Sequence, residues 1–120
     1  MFRASLVLLV VAALAVASTA FGKRAPVLKG TVGPSFTITL KKGGKMVKRL
    51  KPGRYTFAIS DRSDFHNFML EKVKGGKFEK QLTAVSFAGK KTVKIRLTKG
   101  KWKYFCMPHE SQMHHFFTVR

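Results

Sequence analysis

Three runs of alternating apolar and polar residues constrain this chain more than any other feature. In SFTITLKK the apolar positions are Phe36, Ile38 and Leu40, in RYTFAIS they are Tyr55, Phe57 and Ile59, and in KTVKIRL they are Val93, Ile95 and Leu97. Each set falls on one side of an extended strand. Lysine, arginine and threonine fill the alternate places, as expected for antiparallel strands with one face buried and one wet. Turn chemistry separates the runs: Lys42-Gly43-Gly44-Lys45 reads as a hairpin, Lys51-Pro52-Gly53 and Gly75-Gly76 as turns, and Gly89 and Gly100 interrupt later runs. Beyond residue 20 there is no long helical period, internal repeat or low-complexity segment. Residues 61–65 read as a loop, and 77–88 carry the weakest signal. Seven or eight short strands argue an all-β sandwich or small barrel.

The first twenty residues read differently. Arg3 precedes an apolar run from Leu6 to Ala17 ending in small residues, which is the anatomy of a cleavable signal peptide and too short to span a bilayer comfortably. An uncleaved anchor is the weaker alternative. The expected organisation is a signal peptide over 1–20 and one domain over 21–120, exported to the periplasm, cell surface or extracellular space. Removal of Arg3 lowers the formal net charge from +19 to +18, so nearly all the basic excess lies on the domain. Such a field attracts anions, so an acidic redox partner, an anionic membrane or cell-wall surface, or nucleic acid outside the cell is compatible with it. No specific nucleic-acid signature accompanies the charge.

One cysteine forms no internal disulfide, and a lone thiol in oxidising surroundings needs burial or a bond. In GKWKYFC, Trp102, Tyr104 and Cys106 share one face of a strand, so the thiol arrives inward at a strand end. Pro108 then turns the chain and brings His109 back beside it, with Met113 four residues later. His66, with Phe68 and Leu70 on its side of the next strand-like run, needs a neighbouring strand to carry it into the same pocket. Two imidazoles and a thiolate in a plane, with a weak thioether contact, suit copper that changes oxidation state. Asn67 is placed to tie the two ligand-bearing segments together.

Cys106-Met107-Pro108-His109 with Met113, after a strand reading WKYF, resembles the copper loop of plastocyanin-like cupredoxins, and His66-Asn67 resembles their first ligand and its partner asparagine. The resemblance implies a Greek-key β-sandwich, one blue copper ion held by His66, Cys106, His109 and Met113, and one-electron transfer between redox partners. It also implies that electrons leave through His109 at an apolar patch to which Met107 and Pro108 contribute. The end of the chain departs from the family pattern, because His115 takes the place of a glycine while Phe117 and Val119 keep it.

Other readings weigh less. An extracytoplasmic copper carrier or store uses the same ligands. An enzyme with Cys106 as nucleophile and His109 or His66 as base lacks a recognisable triad and leaves Met113 unexplained. Asp61, Asp64, Glu71, Glu79 and Glu110 form no catalytic pair, so no enzymatic activity is expected. A basic polyanion-binding β-domain accounts for the charge but not for the ligand loop. His114 and His115 read as ordinary surface or edge positions, Met46, Met69 and Met107 as packing or surface, and the protein as a monomer.

Overall fold

The computed structural model describes residues 24–120; the expected signal peptide lies outside the described residues. Ten strands form two five-stranded sheets. They are β1 (Val27–Val32), β2 (Ile38–Lys42), β3 (Lys45–Met46), β4 (Arg49–Leu50), β5 (Gly53–Asp61), β6 (Phe68–Lys74), β7 (Phe78–Thr83), β8 (Gly89–Leu97), β9 (Gly100–Phe105) and β10 (His114–Val119). One sheet has the order β3-β2-β1-β5-β8 and the other β4-β10-β9-β6-β7. Setting aside the two-residue β3 and β4, eight strands remain. A single 3-10 turn, Met107–His109, is the only helical element among the described residues.

The alternation dictates the packing. Ile38, Leu40, Tyr55, Phe57, Ile59, Ile95 and Leu97 are buried between the sheets, together with Phe68, Trp102, Tyr104 and Phe117 from the other layer. Lys42 pairs with Lys45 across the predicted hairpin. Two expectations need correction. The sandwich is not wholly antiparallel: β1 runs parallel to β5, and β10 parallel to β4. Phe36 is not a core residue, because Gly33 adopts a positive φ of 70° and its N–H donates to the Thr37 carbonyl at 2.9 Å, reversing the chain before β2 begins.

Tyr104 ties the layers together. It is fully buried, stacks on Phe68 at 5.5 Å, and its hydroxyl accepts the Leu40 N–H from the opposite sheet at 3.2 Å. Burial pushes its pKa up to about 12, against the pull of that hydrogen bond. The neutral phenol is therefore favoured by folding, so its contribution is complete below pH 10 and is lost as pH rises from 10 to about 12. Tyr104→Phe should cost about 1–3 kcal/mol at pH 7, because the Leu40 N–H loses its acceptor. It should also show a shallower alkaline decline than the parent in denaturant titrations; equal slopes would contradict this account.

Candidate metal centre

The second sheet brings the ligand-bearing segments together. Antiparallel β6 and β9 pair with Met69 opposite Phe105, so the chain just before β6 lies beside the chain just after β9. His66 and Cys106 occupy those two positions. Beyond Cys106, Pro108 stands in the first turn of the 3-10 segment, where its fixed φ favours the turn and its missing N–H costs nothing. The His109 N–H donates to the Cys106 carbonyl at 3.2 Å, the Met113 N–H to His109 at 2.8 Å, and the Cys106 N–H to Met113 at 3.0 Å. This last bond continues the ladder that pairs Phe105 with His114. Eight residues thus leave and re-enter the sheet at one place.

Three donor atoms face one another there. The Nδ1 atoms of His66 and His109 are 3.1 Å apart, and each lies 3.6 Å from Cys106 Sγ. A triangle with those sides has its centre about 2.0 Å from every corner, a normal bonding distance between a metal ion and imidazole, somewhat short for thiolate. The three residues meet the geometric conditions for a metal cluster. Met113 is 1% exposed and shares the loop with the triangle through its backbone bonds. His114 and His115 start β10 outside this cluster; the His114 Nδ1 lies 2.7 Å from the Glu110 carbonyl, and His115 is exposed beside Tyr104.

Asn67 makes the bridge expected of it. Its Oδ1 accepts the Met107 N–H at 2.7 Å, and its Nδ2 donates to Gln81 Oε1 at 3.2 Å, joining the approach to β6, the loop after β9, and β7. Asn67→Ala should leave the Met107 N–H without that acceptor and lower the melting free energy by about 1–3 kcal/mol. Metal affinity should fall about 10–100-fold, as for other residues that hold a ligand segment in place. Calorimetric melting and metal titration read the two effects; unchanged affinity would remove Asn67 from the site.

The surroundings of His66 were not legible in the sequence. Asp61 and Ser63 are buried, and Asp61 Oδ2, Ser63 Oγ and His66 Nε2 have no hydrogen-bond partner among the described residues. Burial pushes the Asp61 carboxyl up, while the nearby Thr83 hydroxyl, the Ser63 N–H that donates to Asp61 Oδ1, and His66 pull it down. A Cβ on Gly33 would stand 2.9 Å from Ser63 Oγ and 3.0 Å from His66 Cδ2, so this position keeps its glycine for space as well as for φ.

His66 and Cys106 are fully buried, whereas His109 is partly exposed. Around it stand Phe36, Phe65 and Met107, which are 52%, 46% and 51% exposed. Phe36 meets His109 edge-on at 4.8 Å, and Phe65 lies 4.2 Å from His66. The expected apolar patch therefore includes two phenylalanines in addition to Met107 and the exposed Pro108. The Gly33-Pro34-Ser35 turn before Phe36, and the position of Phe65 directly before His66, are the signals that mark them.

No protein-family model and no curated protein matches the sequence. Among solved structures, reduced rusticyanin is 16% identical with a TM-score of 0.55, covering 83% of this chain and 82% of its own. The fold is that of the cupredoxins. An amicyanin variant in its reduced Cu(I) form, also 16% identical, has a TM-score of 0.50 over 84% of this chain and 87% of that one. A laccase from Pediococcus acidilactici is 14% identical with a TM-score of 0.52; the match takes in 82% of this chain but 28% of the laccase. In this cupredoxin sandwich, the donor triangle sits at the end where β6 begins and β9 finishes.

Proposed function

We propose that this cupredoxin is an electron carrier in which His66, Cys106 and His109 would hold one copper ion, with the Met113 thioether as a weak fourth donor. The observation that carries the reading is the triangle of two imidazole nitrogens and one sulfur whose centre lies at bonding distance from all three. One thiolate with two imidazoles is the donor set of blue copper sites. The solved neighbours support the choice of metal, since rusticyanin is a copper protein and the amicyanin variant is in a Cu(I) form.

Bound copper supplies a one-electron change between Cu(I) and Cu(II). The protein's part is to hold the donors still. Cys106 and His66 are shielded from water, and the loop is fastened to the sheet at both ends, so little nuclear rearrangement is available. His109 alone among the three reaches the surface, and its rim of Phe36, Phe65 and Met107 gives a partner an apolar contact at the shortest path to the metal. The redox partner we propose is an acidic protein, steered at long range by the +18 charge expected after removal of residues 1–20. The same reading places the protein outside the cytoplasmic membrane, in the periplasm, at the cell surface or beyond.

Adding one equivalent of copper(II) to the purified protein should give an intense visible band, bleached by one electron equivalent and restored on reoxidation. A band that fails to return, with copper released on reduction, would support a copper carrier instead. No band at all would defeat both readings.

A further inference from the structure

The basic residues are not spread evenly over the sandwich. The chain has five acidic residues, and none falls between 24 and 60 or between 80 and 109. Within the β3-β2-β1-β5-β8 sheet the one acid is Asp61, which is buried at the metal end. Alternation places Lys29, Lys41, Arg54, Lys90, Lys94 and Arg96 on the outer face of this sheet, all exposed. Lys29 stands opposite Lys41, and Arg54 opposite Arg96. Like charges in opposed positions destabilise a sheet, and no carboxylate on this face relieves them. The opposite sheet is also basic, but carboxylates are interspersed on its outer face: Glu71 stands between Glu79 and Lys103, and the one salt bridge among the described residues joins Lys103 to Glu110.

The positions between these cations are small. Thr31, Ala58, Ser60 and Thr92 leave a groove of about 330 Å³ over β1, β5 and β8, lined by Lys29, Lys90 and Lys91 together with the hydroxyl residues Thr31, Ser60 and Thr92. Ammonium and hydroxyl donors around a shallow depression match the oxygens of a phosphate. The cations extend in two dimensions, over about 14 Å across four strands and about 20 Å along β8. A thread-like polyanion would engage only the line of Lys90, Lys94 and Arg96 along β8, leaving Lys29, Lys41 and Arg54 unmatched. A two-dimensional array complements a planar one.

We infer that the outer face of this sheet docks the protein on an anionic phospholipid bilayer, with headgroup phosphates entering the groove between Lys29 and Lys90. The donor triangle lies at the strand ends, so a protein seated on this face holds His109 and its apolar rim to the side, free to meet a partner at the same surface. This inference is independent of which metal the triangle takes.

The test uses the purified protein without the apolar segment 1–20, so that lipid binding reports on the folded domain, and sedimentation with vesicles of phosphatidylglycerol and phosphatidylcholine, or of phosphatidylcholine alone. Binding should require the anionic lipid and weaken steeply with added salt. The triple variant Lys90→Gln, Lys94→Gln, Arg96→Gln should bind about 100-fold more weakly, at about fivefold per cation. A control of equal charge change, Lys74→Gln, Lys77→Gln, Lys80→Gln, lies on the opposite sheet and its β6–β7 turn and should lose less than a tenth as much. Both variants should keep the parent's circular dichroism and melt no lower than the parent, the first gaining slightly from relief of the Arg54–Arg96 repulsion. Equal losses in the two variants would overturn the proposal by showing that net charge alone acts. So would absence of vesicle binding, or heparin binding tighter than vesicle binding through the same three residues.

Discussion

The Cys106→Ser protein should remain colourless when copper(II) is added, while the parent turns intensely coloured. The sulfur is fully buried and its backbone is fixed by the bond to Met113, so serine can take the same place with little disturbance. What changes is the donor. A hydroxyl does not ionise near neutral pH as a metal-assisted thiol does, and it is hard where sulfur is soft. His66 and His109 keep their positions, so some copper still binds. The affinity should drop by more than about 100-fold, beyond the loss typical of an outer partner. Titration followed by visible absorption and electron paramagnetic resonance distinguishes a coloured thiolate site from a residual two-histidine one. Colour in the serine variant would show that the thiolate is not a ligand.

The largest effect on stability should come from Trp102→Ala. The indole is 1% exposed, lies 5.3 Å from Phe78 and 6.3 Å from Phe117, and its Nε1–H donates to the Thr98 carbonyl at 2.9 Å. Truncation removes this packing and leaves a cavity that neighbouring strands cannot fill, at a cost of about 3–5 kcal/mol. Small domains are stable by about 5–15 kcal/mol in total, so the variant should melt about 15–30 °C lower. It should still bind copper with the parental colour when cold, because Trp102 stands four residues before Cys106 and makes no contact with the donor triangle among those described. A shift under about 5 °C would show that the core is organised around other side chains.

How far the sequence disclosed this follows from which forces act locally. Alternation identified the inward residues of β5 and β8, because extended backbone sends successive side chains to opposite faces whatever the neighbours do. The loop from Cys106 to Met113 was legible because Pro108 confines a short path between a strand end and the next strand. Phe36 was misassigned because alternation assumes that the chain stays extended, and Gly33 bends it. The parallel pairings of β1 with β5 and β4 with β10 join segments remote in sequence, where no local pattern records direction. Asp61 and Ser63 looked like ordinary loop residues; their burial results from β5 delivering the chain beneath His66.

The backbone bond from Cys106 to Met113 closes the metal loop upon the same ladder that pairs β9 with β10. The segment between those residues is therefore an exchangeable cassette. Its length and its composition apart from His109 can vary without changing the register of either strand, provided the two anchor points remain. Changes at Met107, Pro108 and residues 110–112 can reshape the surface beside His109, while the scaffold that supplies His66 is left unaltered.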